Sequence, residues 1–167
     1  MKVVPKIVIP YYVSRRCITG ANEYRFFCDG QEAGSATAYS FADFPVYLSG
    51  AGVKLRSGFD STIFPGCRRD VRYIDDNELL AEIIYNGHGS HSLILGEESL
   101  QIQSDKRNYL FYQHGELVAE IRPCFLCPEP RTEEEDWTVR YMMVRRAPVS
   151  QLMELLMLSF PILQIAP

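Results

Sequence analysis

Positive charge is scarce in this sequence. The 167 residues include 17 Lys and Arg against 21 Asp and Glu, which gives a formal net charge of -4. Surfaces that bind nucleic acid are usually basic, so this balance argues against a nucleic-acid partner. The length fits one domain over residues 1–167, because two halves would each be too small for a good core.

Export signals and a disulfide framework are also lacking. The basic, apolar N-terminus is interrupted by Pro5, Lys6 and Pro10, and no small-residue cleavage site follows it. The five cysteines are odd in number and show no closely spaced framework. We therefore expect a cytoplasmic protein with reduced thiols.

Catalytic motifs are missing as well. The sequence contains no glycine-rich phosphate loop, no serine elbow and no Cys-His-Asp arrangement. The carboxylate pairs Asp75-Asp76 and Glu97-Glu98 fall in predicted turns, where acidic residues are favoured for backbone reasons. We therefore expect a protein that is not an enzyme.

Long apolar runs are absent except at the C-terminus. From Leu152 to Leu163, only Glu154, Ser159 and Pro161 interrupt an apolar run. A helix that is apolar on all sides must be buried on all sides or lie in lipid.

The length of this helix favours burial over a membrane span. Ser150 is a plausible N-cap, and Pro161 disfavours helical geometry at Phe160. The resulting helix of about 11 residues is ~16 Å long, whereas a span must cross ~30 Å. We predict a core helix at about 150–160 and no transmembrane span, with Glu154 in the first turn at a barrel mouth, where the helix dipole favours it.

An internal repeat dominates the rest of the chain. Three segments each have an aromatic-rich strand, a two-residue turn and a second strand: Tyr24 to Ala36, Val71 to Ile83, and Tyr109 to Ile121. Their predicted turns are Asp29-Gly30, Asp76-Asn77 and His114-Gly115. Such pairs supply the positive φ angles that tight hairpins need. A further strand, Trp137 to Arg146, leads directly into the C-terminal helix.

These elements predict a mainly β fold. We expect an antiparallel β-barrel of about 10–12 strands closed around the buried hydrophobic C-terminal α-helix. The hairpin copies, the strand Trp137 to Arg146 and the ending SQLMELLMLSFPIL together resemble the tubby-like superfamily, which includes tubby C-terminal domains, phospholipid scramblases and LURP-one-related proteins.

The resemblance implies a binding role. Known roles in that superfamily run from phosphoinositide binding to lipid scrambling, which implies a non-catalytic domain for anionic lipid head groups or a protein partner. The sequence has no cysteine-rich palmitoylation stretch and no calcium-ligand run, and tubby's lipid-binding basic residues do not map onto it. A structural or interaction domain with no small ligand is the alternative.

Two pairs of metal-ligand residue types suggest a third alternative, a zinc protein. Cys124 and Cys127 form a C-x₂-C pair, and His88 and His91 form an H-x₂-H pair. Superposing the second hairpin on the third brings the two pairs to neighbouring positions, so a four-ligand zinc site is conceivable. The usual zinc spacings are absent, and free cysteines are often simply buried. We expect no cofactor, with zinc as the exception to test.

Arginine clusters are the remaining candidate sites. Arg68, Arg69 and Arg72 lie beside a turn-rich segment, where backbone amides and guanidinium groups can hold an anion together. Further clusters are Arg15-Arg16 and Arg140 with Arg145-Arg146. The competing interpretation is that all of them are solvated strand faces that balance the acidic residues.

Overall fold

The computed structural model describes residues 9–39, 46–59, 71–124 and 137–165. In these ranges the chain forms twelve strands followed by one helix. The strands are β1 (Tyr11–Ile18), β2 (Ala21–Cys28), β3 (Gln31–Tyr39), β4 (Tyr47–Gly50), β5 (Val53–Phe59), β6 (Val71–Asp75), β7 (Glu78–Gly87), β8 (Ser90–Leu95), β9 (Glu98–Asp105), β10 (Asn108–Gln113), β11 (Glu116–Pro123) and β12 (Thr138–Arg145). The helix is α1 (Gln151–Ile165).

The sheet is a closed antiparallel barrel. Each strand pairs with its neighbours in sequence, and β1 pairs with β12 to close the ring. The predicted barrel of about 10–12 strands around a C-terminal helix is therefore confirmed. Because direction alternates along the chain, every even-numbered strand finishes at the end of the barrel where α1 begins. We call this the helix-entry end, and the other the far end.

The three repeated hairpins have the predicted turns. Asp29, Asp76, Asn77 and His114 all have φ between 46° and 66°. Each copy also has a bulge two residues before its turn, between Phe26 and Phe27, Tyr73 and Ile74, and Phe111 and Tyr112. The three copies therefore share their bulges as well as their turns. The bulges bend and twist the strands, as closure of the barrel requires.

The helix fills the barrel. Met153, Leu156, Met157 and Phe160 have no exposed surface. Inward residues of the wall pack around them, since strand residues alternate between the two faces of the sheet. The predicted cap is confirmed, because the Met153 amide donates to Ser150 Oγ over 3.2 Å.

The predicted C-terminal end of the helix is wrong. The helix passes through Pro161 and continues to Ile165. Proline cannot donate to the carbonyl four residues earlier, but hydroxyl groups bind neighbouring carbonyls in the same stretch. Ser159 Oγ donates to the Leu156 carbonyl over 2.7 Å, and the Tyr141 hydroxyl donates to the Leu158 carbonyl over 2.5 Å. Packing inside the barrel thus overrides the local preference.

The thiol prediction is wrong at one position. Cys124 is disulfide-bonded, whereas Cys17 and Cys28 are free. A disulfide depends on which cysteines the fold brings within reach, which spacing alone does not reveal. Within the described residues, no helix combines the length and apolar character that a membrane span requires.

Candidate functional site

A polar cluster lies at the helix-entry end, around the one carboxylate of the core helix. Glu154 is in the first turn of α1, as predicted, and its side chain is only 5% exposed. Its carboxylate accepts hydrogen bonds from the Tyr11 hydroxyl on β1 and from Arg145 Nη1 at the end of β12. The cluster therefore joins the start of the helix to the two strands that close the barrel.

The protonation of this cluster follows from its surroundings. Burial, with the neighbouring Glu154 carboxylate, raises the pKa of Tyr11 far above its ordinary value of 10.0. Tyr11 therefore remains a hydrogen-bond donor at neutral pH. Burial also raises the pKa of the adjacent Cys28 thiol, so Cys28 is a poor thiolate nucleophile.

A cavity of about 160 Å³ opens beside this cluster. Its polar lining comes from Tyr11, Glu154 and Gln151. Its apolar lining includes Ala33 from β3 and Ala51 from the turn between β4 and β5. Small side chains at these two positions leave the space open between the helix and the wall.

Glycine allows the helix to approach this part of the wall. A Cβ atom on Gly34 would lie 2.8 Å from Leu155 Cδ1 and 2.8 Å from the Ser49 carbonyl oxygen. A Cβ atom on Gly50 would lie 3.0 Å from the same Leu155 atom. The two distances at Gly34 are shorter than real Cβ contacts, and the distance at Gly50 is tighter than most of them. These glycines therefore help to set the position of Leu155 and with it the floor of the cavity.

A second feature covers the outside of β1–β5, and we call it the basic wall. Strand register brings outward side chains into three rows. The rows are Ile18, Ala21 and Tyr39; Arg16, Glu23, Thr37, Tyr47 and Arg56; and Arg25, Ser35, Ser49 and Lys54. They contain four cationic residues and one carboxylate, in a protein with a net charge of -4.

Trp137 stands at one border of the basic wall. The guanidinium carbons of Arg16 and Arg25 lie 4.8 Å and 4.3 Å from its ring centroid. These are cation–π distances, and they hold the two side chains in fixed positions. Arg16 also forms an ion pair with Glu23, with 2.8 Å between nitrogen and oxygen.

Large apolar side chains are exposed on the same face. Ile18, Tyr39 and Tyr47 are 45%, 42% and 47% exposed. The rings of Tyr39 and Tyr47 meet edge to face, with centroids 6.2 Å apart. Aromatic and aliphatic groups beside arginines form a surface that is neither a solvated polar face nor a core.

The predicted arginine site is only partly described. Arg68 and Arg69 lie outside the described residues. Arg72 is exposed on β6, in register with Glu82 on β7. Arg72 borders the basic wall, since β6 pairs with β5 and its partner Gly58 is two residues from Arg56. The anion site of the three arginines stays a prediction.

The predicted zinc ligands have different surroundings. His88 is exposed in the turn between β7 and β8, with φ of 51°. His91 is buried, and its ring lies 5.1 Å from the rings of both Phe160 and Tyr85. Burial among these rings makes His91 part of the core packing.

The cysteine pair of the zinc prediction includes one residue that is not a free thiol. Cys124 is disulfide-bonded and Cys127 lies outside the described residues. In the part of the chain that the structure describes, no group of three or more His, Cys, Asp and Glu residues could hold a metal ion. The four-ligand site stays a prediction.

Sequence reasoning missed both the cavity and the basic wall. The turns at Gly20 and Gly30 could have fixed the register of β1–β3 and placed Arg16, Glu23 and Thr37 in one row. No sequence signal indicated that β4 and β5 would extend this row.

Comparisons with protein-family models, curated proteins and solved structures found no match to this chain.

Proposed function

We propose that this protein is a non-catalytic binding domain whose basic wall holds anionic phospholipid head groups at a membrane surface. The observation that carries the proposal is the combination on one outer face of cationic residues with exposed Ile18, Tyr39 and Tyr47. The resemblance to the tubby-like superfamily supports it through the shared plan of a barrel around a hydrophobic helix.

The chemistry of the wall matches the interface of an anionic membrane. Tyrosine and tryptophan favour the head-group level, where an apolar ring and a polar tip both find partners. Each Lys or Arg near an anionic surface contributes about 1 kcal/mol of attraction. Lys54 and Arg56 can approach phosphates together, since both point outward from β5.

The distribution of acidic residues supports an orientation. Carboxylates cluster on the turns of the helix-entry end, including Asp29, Asp76, Glu97 and Glu116. The apolar row of the wall lies toward the far end, beside the turn between β1 and β2. Repulsion from an anionic surface would turn the helix-entry end away and bring the wall toward the lipid.

Vesicle co-sedimentation tests this proposal. We expect the protein to bind phosphatidylcholine vesicles that contain phosphatidylserine and not to bind vesicles of pure phosphatidylcholine. Its affinity should fall as the salt concentration rises. The double variant Lys54→Ala with Arg56→Ala removes two exposed charges and should weaken binding roughly 30-fold.

Matched variants separate the wall from a general charge effect. Lys106→Ala with Arg107→Ala removes two exposed charges on the turn between β9 and β10, across the barrel from β3, and should change binding little. Arg68→Ala with Arg69→Ala tests the site predicted from sequence. Absent binding, or equal and salt-independent binding to both vesicle types, would contradict the proposal and favour an interaction domain with no lipid ligand.

A further inference from the structure

The cavity at the helix-entry end has the features of a ligand site that is independent of the basic wall. We propose that it binds a small organic cation with an apolar body the size of one aromatic ring. Its walls join a buried carboxylate, a phenol ring and aliphatic surface in one space of about 160 Å³. The charge, the acceptor capacity and the size of the cavity each favour this kind of ligand.

Charge is the first ground. Among the described residues that line the cavity, Glu154 has the one acidic side chain, and no Lys or Arg lines it. Its partner Arg145 binds Oε1 and is not among the residues that line the cavity. The carboxylate of Glu154 offsets the positive partial charge at the N-terminus of the helix. A cation inside the cavity therefore faces a carboxylate and no lining cation.

The rim of the barrel increases this preference. Hairpin turns at the helix-entry end present a set of acidic residues: Asp29, Glu32, Asp75, Asp76, Glu78, Glu97, Glu98 and Glu116. Exposed charges act over ~8 Å at physiological ionic strength, so the rim raises the local concentration of cations more than it adds to their binding. Anionic ligands are disfavoured for the same reason.

Acceptor capacity is the second ground. A carboxylate has about four lone-pair positions. Tyr11 uses one on Oε2, and Arg145 uses one on Oε1. A ligand ammonium can therefore share Glu154 with both partners instead of displacing them. The amide of Gln151 and the face of the Tyr11 ring offer further contacts to an ammonium group.

Size is the third ground. An apolar cavity of about 150 Å³ is known to accept benzene, so this space has room for one aromatic ring. Ala33, Ala51 and Leu155 supply the apolar surface for that ring. Larger side chains at Ala33 would fill the space without touching the hydrogen bonds of Glu154.

The test uses ligand titration followed by amide signals in ¹H–¹⁵N spectra of the full chain. The probes are benzylamine, which is charged, benzyl alcohol, which is neutral, and benzoate, which is anionic. We expect benzylamine to shift the amides of Ala33, Ala51 and Gln151 in a saturable way. Benzyl alcohol should bind at least about tenfold more weakly, since it lacks a charged hydrogen bond, and benzoate should not bind.

Three variants make the test specific. Glu154→Gln should weaken benzylamine at least about tenfold. Ala33→Leu should abolish binding by filling the cavity while leaving the charge cluster intact. Glu97→Gln removes one rim charge on the turn between β8 and β9 and should leave binding nearly unchanged.

Each unfavourable outcome overturns the proposal. Absence of a saturable shift with benzylamine excludes the site. Equal affinity for benzylamine and benzyl alcohol shows an apolar cavity without cation selectivity. Unchanged binding by Ala33→Leu places the amine elsewhere. If Glu154→Gln does not fold, the probe comparison and Ala33→Leu still decide, and none of these results depends on vesicle binding.

Discussion

At the scale of single residues, buried hydroxyl groups connect the wall to the core helix. The Tyr73 hydroxyl lies 2.6 Å from Ser159 Oγ, and the Tyr141 hydroxyl donates to the Leu158 carbonyl. Both tyrosines are buried, and burial raises the pKa of each well above its ordinary value of 10.0. An ionised phenolate at either position would be an uncompensated charge in the core.

This raised pKa predicts alkaline unfolding. Below about pH 10 both the folded and unfolded states keep the tyrosine protons, so the stability is unaffected. Above that value the unfolded state loses protons that the folded state retains. The free energy of unfolding should then fall by about 1.4 kcal/mol per pH unit for each buried tyrosine, until the pH reaches the folded-state pKa.

Urea unfolding at several pH values between about 9 and 11 measures this slope. The variant Tyr73→Phe should reduce the slope of unfolding free energy against pH by about the contribution of one tyrosine. The exposed variant Tyr47→Phe should keep the wild-type slope. A stability that does not change over this pH range, or equal slopes in both variants, would show that Tyr73 ionises freely in the folded protein.

At the scale of elements, the fit between the helix and two adjacent strands decides where α1 lies. Leu155 packs against the backbone of β3 and β4 because Gly34 and Gly50 have no side chain. Gly34 therefore has a packing role that its position inside a strand does not reveal, since glycine weakens strands in general.

We predict that Gly34→Ala is destabilising. The new Cβ would lie 2.8 Å from both Leu155 Cδ1 and the Ser49 carbonyl oxygen, and the second of these is backbone that cannot easily move. Overpacking of this kind costs about 1–3 kcal/mol. Thermal and urea unfolding measure the loss.

The neighbouring substitution Ser35→Ala is the matched control for Gly34→Ala. Ser35 is half-buried on the outward face of the same strand, so its change should stay within about 0.5 kcal/mol. If Gly34→Ala were as stable as this control, the close approach of the helix to β3 would be disproved.

At the scale of the whole molecule, the barrel closes only when its first and last strands meet. β1 and β12 are the two ends of the sheet in sequence, and their pairing is the most distant in the fold. Trp137, the single tryptophan, contacts Arg16 and Arg25 across this seam. Its fluorescence is therefore a direct signal of closure.

We predict slow refolding, in milliseconds to seconds, because many contacts join residues that are distant in sequence. If folding is two-state, Trp137 fluorescence and far-UV circular dichroism should change with the same rate constant. Stopped-flow refolding measures both. The variant Arg25→Ala, which alters the surroundings of Trp137, should change the fluorescence amplitude more than the rate. A circular dichroism signal that reaches its final value well before the fluorescence signal would show that an open sheet forms before the barrel closes.

The sequence by itself determined the class of the fold and its order of elements. Local signals were sufficient for the hairpins, since a turn such as Asp29-Gly30 needs positive φ at fixed positions. The core helix followed from an apolar surface on every side, and its start followed from the cap at Ser150. These features depend on neighbours within a few residues.

The tertiary structure alone decided the end of the helix, the basic wall and the cavity. Pro161 lies inside the helix because the buried environment of the barrel outweighs the local preference of proline against helix interiors. Arg16 and Arg56 share one row because four successive strand pairings fix their register, and a shift of one residue at any pairing would move a side chain to the other face. Glu154 meets Tyr11 across 143 positions of sequence, a contact that only closure of the barrel produces.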